Sequence, residues 1–154
     1  CSPDVTDAAD TADALACEES LARVCELLAG RHTFSAAPSR LAEDATSINP
    51  QLHQARDRLA ADLLAPPTLA DMARTAGLSR FQLLRHFEKA FGLTPHAWLQ
   101  QQRAERARGL IRRGASLAQA AASCGFADQS HMTRLFARQF GFTPGAWQKA
   151  AGLQ

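Results

Sequence analysis

The chain has 154 residues, 46% hydrophobic and 21% charged, with a net charge of +2, a composition that can bury a core and excludes a disordered chain. Alanine fills 32 positions while valine and isoleucine supply two each and tyrosine none, so strand-forming residues are scarce and the chain reads as all-α. No apolar stretch approaches the ~18 residues of a membrane span, and the N-terminus has neither a basic n-region nor an apolar h-region, which excludes membrane-spanning and secretory readings.

Residues 1–12 are small, polar and acidic without helical period, and read as a frayed terminus. A helix is expected from Asp13 to about residue 29, where Leu15, Leu21, Val24, Cys25, Leu27 and Leu28 gather on one side, Glu18 and Glu19 lie near the start, and Gly30 stands as a C-cap. Residues 31–48 have little periodicity and read as a linker holding at most a short turn around Arg40 to Asp44, with a domain boundary near Asn49. Asn49-Pro50 then caps a helix carrying Leu52, Ala55, Leu59 and Leu63, which Pro66-Pro67 ends.

Beyond that point the punctuation is regular. Thr68 caps a short helix, Gly77 turns, Ser79 opens a helix to Phe91, Gly92 closes it, and Thr94-Pro95 starts a long helix to Arg113. The order then recurs: Ser116, Gly125, Asp128, a helix to Phe140, Gly141, and Thr143-Pro144. Leu69, Ala73 and Gly77 match Leu117, Ala121 and Gly125 at an offset of 48, and FGLTPHAW at Phe91 matches FGFTPGAW at Phe140 at an offset of 49. The extra residue falls in the turn after Gly125, where a helix pair absorbs it without shifting its core. Two copies of one helical unit, about 68–91 and 116–140, are thus joined by a linker helix over about 95–113.

Charge divides along the chain. Residues 1–49 hold nine acidic and three basic residues, net −6, whereas residues 50–154 hold six acidic and fourteen basic, net +8, with twelve of the fourteen being arginine. Arginine presents a fixed fork of donors suited to phosphate and guanine edges, which points to a nucleic-acid partner. The four cysteines form no C-x-x-C pair. Cys17 and Cys25 on one helix lie ~12 Å apart, too far for a disulfide or one metal, so the thiols read as reduced and the protein as cytoplasmic.

A short helix, a glycine turn and a second helix with a polar outer face is the arrangement that places a helix in the major groove. In the first unit Leu83, Phe87 and Phe91 are expected to face the core, leaving Arg80, Phe81, Leu84, Arg85 and Glu88 outside. The equivalent set in the second is Gln129, Ser130, Thr133, Arg134 and Arg138. Arg85 and Arg134 coincide at the 49-residue offset and are candidates for bidentate contact with guanine. A linker helix of about 19 residues spans ~28 Å, close to the ~34 Å between successive major-groove faces. Along it stand Arg103, Arg106, Arg108, Arg112 and Arg113, some within expected reach of phosphate; Arg106 and Arg112 there, and Arg138 of the second unit, are the phosphate candidates.

The stretch from Leu69 to Trp147, with GLSRFQLLRHFEKAFGLTPHAWLQQQRAERARGLI followed by GFADQSHMTRLFARQFGFTPGAW, resembles the AraC/XylS-type transcription regulators. The resemblance covers residues 49–154 and implies a DNA-binding domain of two helix-turn-helix units. It places base contacts on Arg80, Phe81, Leu84 and Arg85 and on Gln129, Ser130, Thr133 and Arg134, with Leu84 standing where some members carry a polar residue. It also implies that residues 1–30 are the end of an N-terminal sensor and dimerisation domain, since many such regulators begin with an effector-binding barrel. The chain opens on Cys1 without a methionine, in keeping with a fragment. The partners implied are double-stranded DNA, RNA polymerase, a second copy through residues 13–29, and an effector held only by the missing domain. The implied role is an effector-responsive activator in the bacterial cytoplasm and nucleoid.

Two other classes compete with this reading. Catalysis has little support, because His32, His53, His86, His96 and His131 show no ligand spacing with the cysteines and no G-x-S-x-G or H-E-x-x-H occurs. No metal, cofactor or phosphate loop is expected. A scaffold for protein partners could use the same repeat, but it would not require the paired arginines or the basic linker helix.

Overall fold

The computed structural model describes residues 5–29 and 50–152. Among the described residues the chain is helical with no strand, in the order α1 (Val5–Ala29), α2 (Pro50–Ala61), α3 (Leu69–Ala76), α4 (Arg80–Phe91), α5 (Pro95–Arg112), α6 (Leu117–Ser123), α7 (Gln129–Phe140) and α8 (Pro144–Ala150). The expected linker over residues 31–48, the Gly30 cap and the Asn49 cap lie outside the described residues.

Every helix start expected between Thr68 and Thr143 is formed by the residue that signals it. The side chains of Thr68, Ser79, Thr94, Ser116, Asp128 and Thr143 each accept from the backbone N–H three residues on. Ser79 with Gln82 closes a reciprocal capping box at the start of α4 and Ser116 with Gln119 another at the start of α6. The turns repeat as well. Leu78 N–H donates to the Ala73 carbonyl at 2.9 Å and Phe126 N–H to the Ala121 carbonyl at 3.1 Å. The inserted residue lies between Gly125 and α7, where Phe126 turns inward and is 1% exposed.

Each unit builds its own core, and the two cores superpose in sequence at the 49-residue offset. Leu83 and Phe87 are fully buried in the first, Met132 and Phe136 in the second, with Phe91, Phe140, Trp98 and Trp147 packed at their edges. Burial of each such side chain contributes about 1.5–3 kcal/mol. Helix α5 belongs to both cores, giving Leu99 to the first and Ala107 and Ile111 to the second. The linker helix is therefore a shared wall, so it positions the two units as well as joining them.

Three boundaries and faces differ from the sequence reading. Helix α1 begins at Val5, because alanines at 8, 9, 12 and 14 extend a helix by propensity where no apolar period marks one. Its inward face is Leu15, Glu19 and Ala22, while Leu21, Val24 and Leu27 are 60%, 51% and 71% exposed and Cys25 is exposed too. Of the expected stripe, Leu15 packs inward whereas Leu21, Val24, Cys25 and Leu27 point away from the core. Helix α2 ends at Ala61 rather than at the prolines, since the Asp62 carboxylate accepts from Leu64 N–H and Ala65 N–H at 2.9 Å each and turns the chain there.

Cys124 is buried against the second core, and burial pushes its thiol up to about 11. At pH 8 it stays protonated, whereas Cys17 and Cys25 lie exposed on α1. Treatment of the folded chain with iodoacetamide is expected to modify Cys17 and Cys25 and spare Cys124. Peptide mass spectrometry reads this, and rapid labelling of Cys124 would mean that the second core opens.

Candidate nucleic-acid interface

Helices α4 and α7 are positioned alike. Each is capped at its N-terminus by a side chain, closed at its C-terminus by a glycine in the left-handed region, and pinned from beneath by two buried side chains one turn apart. What remains outward is fixed by helical period: positions 81, 85 and 88 in α4, and 130, 134 and 137 in α7. Arg80 and Arg85 are exposed and Phe81 is half-buried; Gln129, Ser130 and Arg134 are exposed and Thr133 is half-buried. Among the described residues, neither Arg85 nor Arg134 makes an ion pair or hydrogen bond. Two exposed guanidiniums thus stand at equivalent positions of two equivalent helices, free to take an external acceptor.

Leu84 departs from the expected outward set. It is 5% exposed and belongs to the first core. A residue at this turn of α4 stands at the margin between the buried and outer faces, and α1 closes that margin. The Arg23 guanidinium meets the Glu88 carboxylate at 3.3 Å, and Arg23 and Leu27 line a groove with Leu84, Arg85 and Glu88.

The arginines of α5 divide into separate tasks. Arg106 and Arg112 are exposed, as is Arg138 on α7. Arg108 is engaged, 2.9 Å from Glu105 and 5.0 Å above the Phe140 ring, a stacking contact that secures α7 to the linker helix. Arg103 is 0% exposed and cannot reach phosphate. Its Nε donates to the Leu63 carbonyl at 2.9 Å and its Nη2 shares that acceptor. A Cβ placed on Gly125 would lie 2.7 Å from both Arg103 Nη2 and the Leu63 carbonyl. One guanidinium on α5 therefore touches the loop before α3 and the turn before α7. Burial lowers its proton affinity to about 10, which leaves it charged at neutral pH. The signal was present in the sequence: Leu99, Arg103, Ala107 and Ile111 recur every four residues, and Leu99, Ala107 and Ile111 are core.

Histidines and carboxylates here serve packing. His131 lies edge-on to the Phe126 ring at 5.6 Å, and His86 is exposed on α4. Glu19 accepts from His96 N–H at 2.6 Å at the first turn of α5. Its carboxyl is held above the usual range by burial, against that hydrogen bond and one from Thr94. His96 is pushed down, chiefly by burial and then by the positive charge of Arg103. No group of three or more His, Cys, Asp or Glu side chains able to hold a metal occurs among the described residues, and no helix among them is long and apolar enough to cross a membrane.

Residues 72–150, half of the chain, match the family model described as a helix-turn-helix domain. A crystal structure described as a transcriptional regulator with an AraC-type DNA-binding domain, from Chromobacterium violaceum, is 31% identical, covers 66% of this chain and 93% of its own, and superposes with a TM-score of 0.59. The chain belongs to the AraC-type helix-turn-helix family. Members of this family are transcription regulators that bind DNA and are not enzymes.

The DNA-binding domain of AdpA, described as a global transcriptional factor and solved in complex with a target DNA, is 27% identical with a TM-score of 0.54, covering 67% of this chain and 90% of that one. The transcriptional activator NphR of Rhodococcus is 38% identical over 127 residues, 80% of this chain and 35% of the relative. That share is larger than residues 50–154 can supply, so the similarity reaches back into the segment before Pro50. The chain spans about a quarter to a third of the length of the curated AraC-type relatives it matches.

Proposed function

We propose that residues 49–154 form a bipartite reader of double-stranded DNA which inserts α4 and α7 into successive major-groove segments of a promoter. The observation that carries this is the pair Arg85 and Arg134, exposed and unengaged among the described residues, at equivalent positions of two helices each capped by a side chain and closed by a left-handed glycine. Arg80, Phe81 and Arg85 read bases from the first unit, with Leu84 able to meet a thymine methyl once uncovered. Gln129, Ser130, Thr133 and Arg134 read from the second. Arg106, Arg112 and Arg138 serve phosphates, which fix register and carry no sequence information. An 18-residue α5 spans ~27 Å, of the order of the ~34 Å between groove segments.

In the intact regulator residues 1–30 are the end of a sensor and dimerisation domain, and residues 31–48 link it to the reader. A second copy docks through the exposed Leu21 and Val24 of α1, an effector binds a domain N-terminal to this chain, and RNA polymerase contact at the promoter gives activation. The setting is the bacterial cytoplasm, at the nucleoid.

Selection from a random duplex pool with this chain, followed by salt titration on the winner, tests the reading. Enrichment of a two-part site with centres about one helical turn apart is expected, with a steep fall in affinity as salt rises. Arg106→Ala and Arg112→Ala should each weaken binding evenly across sequences and lower the salt slope by about one unit. An unchanged slope removes that residue from the interface, and no enrichment at any salt favours a protein partner instead.

A further inference from the structure

We infer that α1 is a displaceable cover over the base-reading flank of α4, so that the first unit is closed while the second stays open; this rests on the DNA-binding reading above. The repeat supplies an internal comparison. Leu84 and Thr133 occupy the same position at the 49-residue offset, yet Leu84 is buried and Thr133 remains partly exposed. What distinguishes their surroundings is α1, which packs on α3, α4 and α5.

The contact falls on the reading side of α4. Arg23 pairs with Glu88, one turn beyond Leu84 and Arg85, and Arg23 and Leu27 form the opposite wall of the groove that holds those three residues. Space excludes both occupants at once. An α-helix with side chains is ~10–12 Å across and the major groove ~12 Å wide, so a groove that receives α4 has no room for α1 along its flank. For Leu84 to meet a base, α1 must leave.

The cover is also built to leave. The Arg23–Glu88 pair is about half exposed on both sides, at 52% and 53%, a setting in which ion pairs hold weakly. Among the described side chains the inward face offers one large apolar group, Leu15, beside Ala22 and the buried carboxylate of Glu19. Charge gives the competition its sense. Helix α1 carries six acidic residues and one arginine, against the +8 of residues 50–154, so α1 and DNA are both drawn to the same basic body.

The double variant Arg23→Glu/Leu27→Asp, in the full chain, tests this. Both side chains are largely exposed, so the fold is expected to survive, and the variant is three charges more negative than the parent. Simple electrostatics would weaken its binding. Loss of the cover should instead raise affinity for a pool-selected duplex by about ten-fold or more at fixed salt, whereas Cys17→Glu, exposed on α1 but off the groove, should give no gain. Hydrogen exchange supplies a second readout: backbone amides of residues 15–27 should lose protection in the parent when the duplex is added. Equal or weaker binding by the variant, with α1 protection retained on DNA, overturns the cover and leaves the DNA reading intact. Failure of parent and variant alike to bind any duplex overturns the DNA reading and the cover with it.

Discussion

Gly125→Ala is expected to cost about 3–5 kcal/mol of folding stability, a large part of the 5–15 kcal/mol that a domain of this size possesses. Two effects combine at this position. The backbone sits at φ +77, where an L side chain costs about 1–2 kcal/mol. The new methyl group would also approach the Leu63 carbonyl and Arg103 Nη2 at 2.7 Å, closer than carbon tolerates, and one of them must move. Either movement disrupts a buried charge-assisted hydrogen bond worth about 1.5–3 kcal/mol. Gly141→Ala provides the control: its φ is +81 with nothing within 4 Å of the added carbon, so only the backbone cost should appear. Urea titration of both variants separates the terms, and equal losses would show that the Arg103–Leu63–Gly125 junction contributes no more than any left-handed turn. Arg103→Met should approach the Gly125→Ala loss, since it leaves the Leu63 carbonyl without that donor.

This junction also marks where sequence reasoning stopped. Capping residues, turn glycines and the 48- and 49-residue offsets are local chemistry, and they delivered α3 to α8 nearly residue by residue because each helix end depends on atoms within three or four positions. Arg103 stands in the sequence as one of five α5 arginines, some within expected reach of phosphate, yet its four-residue spacing from Leu99 and Ala107 places it on the buried stripe. Charge ordinarily stays outside, and here the period overrides that tendency. Leu84 failed for a different reason. Its register at the edge of the outer face was legible, but its exposure depends on α1, which lies more than fifty residues away in sequence and comes back onto α4. The inward face of α1 has the same kind of cause: Glu19 is turned in because it accepts from His96 N–H at the first turn of α5, a pairing across 77 residues that no local period records.

The same asymmetry sets unequal expectations for the two reading arginines. Arg134→Ala should cost about 1–3 kcal/mol in specific binding, or roughly 5- to 150-fold, and should relax preference at one base pair. A uniform loss across all duplexes would reassign Arg134 to phosphate. Arg85→Ala, at the equivalent place in the first unit, should cost less in this chain, because Arg85 borders the groove that α1 walls and reads only in the fraction of molecules whose cover is displaced. Once Arg23→Glu/Leu27→Asp has removed that cover, the Arg85→Ala loss should rise toward that of Arg134→Ala. Two sites on separate units without shared partners would otherwise be additive, so this non-additivity is the informative quantity. If Arg85→Ala costs the same in both backgrounds, α4 reads DNA with α1 in place, and Leu84 is a core residue that base recognition never used.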